Sequence, residues 1–236
     1  MAPMPWPSVL VPSSEAWNPN KGSSRSGGRS LTNSEQVVEG PSGYATASLT
    51  IPCNRPEKVL AMRAALAMGR AQTWLIGPFE YSRAPWATDA YGRRITPKLL
   101  RRPALDGTAF ADGGARAIAD ALIPATVAEA VALNATSLRI TRPLGTVFRE
   151  DVVATISGDL TPGLFFEVAG RLHMIVAVAG DVVTFRPWLR ADTPAGTPVN
   201  LVSPKGTMRL ASDDTGAFEL QLSRMGVVTL DFVEAF

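Results

Sequence analysis

Between Tyr44 and Ile51 the chain alternates strictly, with Ala45, Ala47, Leu49 and Ile51 on one side and Tyr44, Thr46, Ser48 and Thr50 on the other. A period of two is that of a strand with one buried face. The period then lengthens. Val59, Met62 and Leu66 fall at helical spacing, and Gly69 supplies the left-handed residue that ends a helix. Asn54 followed by Glu57 reads as a capping box at the helix start, with Pro56 tolerated in the first turn. "TWLIG" at 73–77 is a short β-prone run whose expected partner is the strand before the helix, which makes a β-α-β piece.

From Ser137 onward the pattern is one of consecutive short strands: "SLRIT", "DVVATIS", "LFFEVAG", "RLHMIVAVA", "DVVTFRP", "VNLVS", "TMRLA", "AFELQLS" and "VVTLDFVEA". Turn signals separate them, among them Gly170-Arg171 and Gly180-Asp181, and strands at such spacing predict a barrel or sandwich. In the last two runs Phe218, Leu220 and Leu222, then Val228, Leu230 and Phe232, alternate with polar residues around "SRMG", the pattern of a hairpin. The Ala-rich run "ARAIADALIPATVAEAVALNA" has high helix propensity but is divided by Pro124, so at most two short helices are assigned there. Residues 1–30 begin with Pro3, Pro5 and Pro7 and continue into "NPNKGSSRSGGRS", which predicts an extended arm with too little apolar surface to order alone. The fold class expected is mainly β, with one flanking helix and a small β-barrel.

At 236 residues and 46% hydrophobic composition the chain is long enough to bury a substantial core. Its net charge of +2 is unevenly distributed, because residues 1–116 carry 14 Lys and Arg against 8 Asp and Glu, and residues 117–236 carry 9 against 13. Such polarity suits a subunit stacked between unlike neighbours, and solvated surface charge explains it equally well. Cys53 is the single cysteine and His173 the single histidine, so neither a disulfide framework nor a Cys/His zinc site can be assembled. "MAPMPWPSVLVP" lacks the basic start of a signal peptide. The longest apolar run, Met174 to Ala179, is far short of the roughly 20 residues that cross a bilayer. The expectation is a soluble protein without a membrane partner.

Catalytic chemistry finds little purchase. No nucleophile elbow, H-E-x-x-H or P-loop pattern occurs. His173 lies in "RLHMIV" among apolar neighbours, where a structural histidine is expected. The carboxylate pairs Asp213-Asp214 and Glu150-Asp151 read as turn residues, since adjacent side chains in a strand point to opposite faces. No catalytic residue, cofactor or metal ligand is assigned, and an enzyme is not expected. The span 81–102 is different: Arg83, Arg93, Arg94, Lys98, Arg101 and Arg102 are opposed by Asp89 alone and interleaved with Tyr81, Trp86 and Tyr91. Nucleic-acid grooves combine these residue types, as do protein interfaces. A connecting loop or a protein contact is the favoured reading, with direct nucleic-acid binding disfavoured.

Several stretches in series, "GYATASLTIP", "VLAMRAALAMGRAQTWLIGPFEYSRAPW", "LFFEVAGRLHMIVAV" with "VVTFRPWLR", and "PKGTMRLASDD" ahead of "TLDFVEAF", resemble minor tail proteins of long, non-contractile-tailed bacteriophages, of the distal tail protein type. The resemblance covers most of the chain from about Arg29, and least of Pro103 to Ala135. It implies a structural virion subunit that forms a six-fold ring at the tail tip and joins the tail tube to the hub and fibres, with no catalytic residues. With the arm read above (1–30), it implies a division into a ring-forming domain (31–136), an outward barrel (137–200) and C-terminal strands that return to the ring (201–236). Trp74, Arg83, Trp86, Arg93, Arg94 and Trp188 become candidate interface residues, although Trp74 and Trp188 read more readily as packing. A tail-tube or tube-terminator subunit is one alternative. A nucleic-acid- or carbohydrate-binding β-barrel is another, of a different class.

Overall fold

A computed structural model describes residues 2–29, 35–79, 125–141, 146–149, 152–155, 160–201, 203–213 and 226–235. It is mainly β, with one α-helix among the described residues. The chain forms two units, one from residues 1–79 together with 205–236 and one from residues 80–204 inserted between them. Each has its own hydrophobic core.

The discontinuous unit is built on β1 (Met4–Pro5), β2 (Ser14–Lys21), β3 (Ser24–Arg29), β4 (Glu35–Glu39), β5 (Tyr44–Cys53), α1 (Pro56–Ala67) and β6 (Trp74–Ile76), with β15 (Gly206–Leu210) and β16 (Gly226–Glu234) from the far end of the chain. Six of these strands make one sheet in the order β1-β6-β15-β16-β5-β2, and β3 with β4 makes a separate two-stranded hairpin. The alternation read in the sequence holds residue by residue. Ala45, Ala47, Leu49, Ile51 and Cys53 are buried, and the intervening side chains are half-exposed. On β16, Val228, Leu230 and Phe232 complete the same face, onto which α1 lays Val59, Met62 and Ala65.

Gly69 takes φ +59° directly after the last turn of α1, as a left-handed helix stop requires. The start differs from expectation. Arg55, with φ −136° and ψ 148°, is the capping residue and no side chain caps the helix, because a residue before proline is driven into the extended region and Pro56 occupies the first helical position. Asn54 therefore stands outside the helix.

The partner expected for the 73–77 strand is also corrected. β6 pairs with β1 in parallel and with β15 antiparallel, and two strands from the chain's end, β15 and β16, separate it from β5. β5 is ten residues long and finds in β16 a partner that matches eight of them in continuous register, which three-residue β6 could not offer.

A second correction concerns residues 1–30, which are not a loose arm. β1 and β2 lie in the sheet, and Trp6 and Leu10 are in its core. The apolar residues there are few but large. Trp6 meets Trp74 and Phe232 edge-on at centroid distances of 5.3 and 5.4 Å, and its Nε1 donates to the Leu10 carbonyl at 3.0 Å.

The inserted unit holds β7 (Ala125–Val127), β8 (Ser137–Thr141), a hairpin of β9 (Thr146–Arg149) and β10 (Val152–Thr155), β11 (Phe165–Val168), β12 (Arg171–Ala179), β13 (Val182–Arg186) and β14 (Pro198–Asn200). Six of them close into an antiparallel barrel in the order β11-β12-β13-β8-β7-β14, with β14 pairing back to β11. Phe166, Val168, Ile175, Val183, Phe185 and Leu138 are among the residues filling it. Gly170 and Gly180, at φ 75° and 64°, make the tight turns flanking β12. The barrel begins before residue 137, because β7 bridges β8 and β14 with Ala125 and Val127 buried. No helix forms over 125–135, so closing the barrel overrides the helix propensity of "ATVAEAVALNA". The other half of that Ala-rich run, and the "AFELQLS" half of the expected C-terminal hairpin, lie outside the described residues.

Trp6→Ala is expected to lower the stability of the discontinuous unit by about 3 kcal/mol, within the range for a buried aromatic. Urea unfolding followed through both units checks this, since a side chain on a loose arm would cost less than about 0.5 kcal/mol.

Candidate interaction surface

Open sheets end in strands with unpaired backbone groups, and these edges are where another chain can add. In the discontinuous unit the edges are β1 and β2, and among the described residues no strand pairs with the outer side of either. β1 is two residues long, whereas β2 runs for eight. β2 is held at both ends: Ser13 donates its backbone N–H to the Thr50 carbonyl at 2.8 Å, and Lys21 pairs with Tyr44 beyond a register shift that follows Asn18. Glu15, its second residue, adds a further tie, accepting from Trp17 Nε1 at 3.0 Å and from the Phe79 backbone N–H at 2.9 Å.

Beyond β2 the chain enters the β3–β4 hairpin. Its base is pinned by Asn20 Nδ2 donating to Glu39 Oε1 at 3.2 Å and by the Gly40 N–H donating to the Ser23 carbonyl at 2.8 Å. Gly43 sits against this base, where a Cβ would come 2.8 Å from Ser23 Cβ. Val37 and Val38 are adjacent in β4 and 59% and 56% exposed. Neighbours in a strand point to opposite faces, so the hairpin presents an uncovered valine on each side.

α1 adds a second apolar surface. Val59, Met62 and Ala65 face the sheet, while Leu60, Ala64, Ala67 and Met68 are exposed on the opposite side, interspersed with exposed Glu57 and Arg63. Leu60 is 65% and Met68 42% exposed. Surface helices ordinarily present polar residues outward. Met4, Val9 and Val11 are further exposed apolar residues, at and after the β1 edge.

Of the six interface candidates read from sequence, Arg83, Trp86, Arg93 and Arg94 lie outside the described residues, as does the rest of the basic aromatic span. Trp74 is 2% exposed and committed to the core against Trp6, the packing role that already weighed more for it. Trp188 is half-buried on the segment after β13, and its indole N–H is buried without a partner. The structure thus brings none of the six together at a described surface. The exposed residues that do stand out, Val37, Val38, Leu60 and Met68, had a signal in the sequence. "EQVVE" breaks strand alternation, and Leu60 and Met68 fall off the Val59, Met62 and Leu66 spacing of α1.

The chemistry-bearing residues are placed structurally. Asp213 Oδ1 accepts the Arg70 backbone N–H at 3.0 Å beside Gly69, while Asp214 and the pair Glu150-Asp151 lie outside the described residues. Cys53 is buried, and burial pushes its thiol pKa up against the opposing pull of Lys58. His173 is 1% exposed on β12, inside the barrel. Among the described residues no three His, Cys, Asp or Glu side chains gather as a metal site, and no helix is long and apolar enough to cross a membrane. No protein-family model and no curated protein matches the chain.

Because Leu60 and Met68 already stand in water, Leu60→Glu with Met68→Glu is expected to change the stability of the isolated chain by less than about 1 kcal/mol. Met62→Ala, one turn away and fully buried, is expected to cost about 3 kcal/mol. Chemical denaturation of the two variants side by side tests the assignment of the helix faces.

Proposed function

We propose that the protein is a structural virion subunit of the distal tail protein type, which closes into a homomeric ring, six-fold in the related family, and joins a tail tube to the hub and fibres at the tail tip of a long-tailed phage. The observation that carries the reading is the discontinuous unit: an open sheet with both edges unpaired by any described strand, beside a hairpin and a helix with exposed apolar residues. An edge strand that is an aggregation hazard in a monomer is satisfied when the next subunit continues the sheet, and heterologous contacts of this kind close into rings. The hairpin and the outer stripe of α1 supply apolar area of the type that subunit contacts bury. The order of the segments agrees with the serial resemblance, since the last strands return to the sheet from which the first depart. The barrel is inserted as a unit of its own, and Arg83, Trp86, Arg93 and Arg94 would belong to contacts between rings.

Negative-stain images and mass measurements over a concentration series, alone and with tail-tube subunits of the same virion, test this reading. Rings with a central hole, or tubes capped at one end, are expected. Val37→Asp with Val38→Asp is expected to weaken association at least about 10-fold, since charges are poorly accommodated in the core of an apolar contact. A chain that stays monomeric and caps no tube overturns the proposal and favours the binding-module alternative, which salt-dependent binding to single strands or glycans would then examine.

A further inference from the structure

The sole histidine of the chain occupies an unusual position in the barrel. His173 pairs with Phe166 across β11 and β12, stacks on its ring at 5.4 Å, and meets Phe185 in a T-shaped contact at 5.0 Å. Its Nδ1 lies 2.9 Å from the Pro187 carbonyl oxygen. A carbonyl can only accept, so Nδ1 carries the proton and Nε2 presents a bare lone pair. That Nε2 is buried and has no hydrogen-bond partner.

We propose that His173 makes the barrel an acid-sensitive element, closed while the imidazole is neutral and loosened around β11, β12 and β13 when it takes up a proton. The second proton must go to Nε2, where the cation would meet aromatic rings and apolar walls with nothing to accept its N–H. The Pro187 bond survives protonation and offsets part of the cost. The charges around the ring are unfavourable. Arg171 lies on the same face of β12 and Arg190 on the segment after Pro187, and both oppose a cation at His173. On the strands packed against it the other charged groups are turned to the opposite face. Glu167 of β11 accepts from Asn200 Nδ2 at 3.0 Å, and Arg186 of β13 donates to the Phe185 carbonyl at 3.0 Å. The inward positions of β7, β8 and β14 are Ala125, Val127, Leu138, Ile140 and Val199, none of which can share the charge.

Burial, chiefly, lowers the pKa of His173 from 6.5 to about 4. The unfolded or opened chain therefore binds the proton first as pH falls. Stability from the neutral ring is fully present above about pH 6.5 and is lost as pH drops toward 4. The inference is independent of the proposed ring.

Because the chain has one histidine, its imidazole resonances need no assignment by mutation. Long-range proton–nitrogen NMR of the intact protein is expected to show the neutral Nδ1–H tautomer with no titration near pH 6.5. A ring that titrates normally there overturns the proposal. Hydrogen exchange of the full chain, corrected for intrinsic rates, supplies the structural readout. Between pH 7 and pH 4, protection of β11, β12 and β13 is expected to fall about 100-fold more in the wild type than in His173→Gln, by proton linkage. β5 and β16 are expected to respond alike in both. Equal acid responses in the barrel strands of the two proteins would also overturn it. Should His173→Gln fail to fold, Arg171→Gln serves instead: removing one opposing cation is expected to move the loss of barrel protection to lower pH, and an unmoved transition counts against the proposal.

Discussion

The register between β16 and β5 is the contact on which the discontinuous unit depends. Eight consecutive residues of each strand are paired, from Gly226 opposite Cys53 to Val233 opposite Thr46. These strands are among the most widely separated in the chain, so their pairing closes a loop of about 170 residues, a length whose entropic cost rises only slowly with further insertion. This permits a whole barrel to be carried within the loop. Once β16 is seated, β15 pairs against its other side, β6 against β15, and β1 against β6. Buried Glu234 adds a side-chain tie at the end of the pair, accepting the Ala45 backbone N–H at 3.1 Å.

The same arrangement explains where unpaired surface remains. A sheet grown outward from β5 and β16 ends on two strands from the N-terminal residues, and both are edges. β1 is kept short and β2 carries Pro19 and a register shift, two ordinary means of limiting uncontrolled edge pairing. Valines on both faces of the hairpin and the exposed Leu60 and Met68 of the helix are not limited in this way. An isolated two-stranded hairpin is marginal in water, so this one needs completion by contacts beyond its own two strands, such as the Asn20–Glu39 bond at its base. The inserted barrel needs no such completion, because closure removes its edges and its core is filled by its own side chains.

Sequence periodicity determined a good part of this molecule. The strand at Tyr44, the helix ending at Gly69, the strands around Gly170 and Gly180 and the mainly β class followed from alternation, helical spacing and turn residues, because each depends on neighbours within a few positions. Exposed apolar positions were partly readable as breaks in pattern, in "EQVVE" and on the outer stripe of α1. Strand partners were decided only by the tertiary structure. β6 lies next to β15 and not β5, Trp6 and Leu10 turn a proline-rich start into core, and barrel closure makes a strand of Ala125–Val127 within a helix-prone run. In each case the deciding energy is burial against residues distant in sequence, and a local pattern carries no information about which distant surface will be there to receive it.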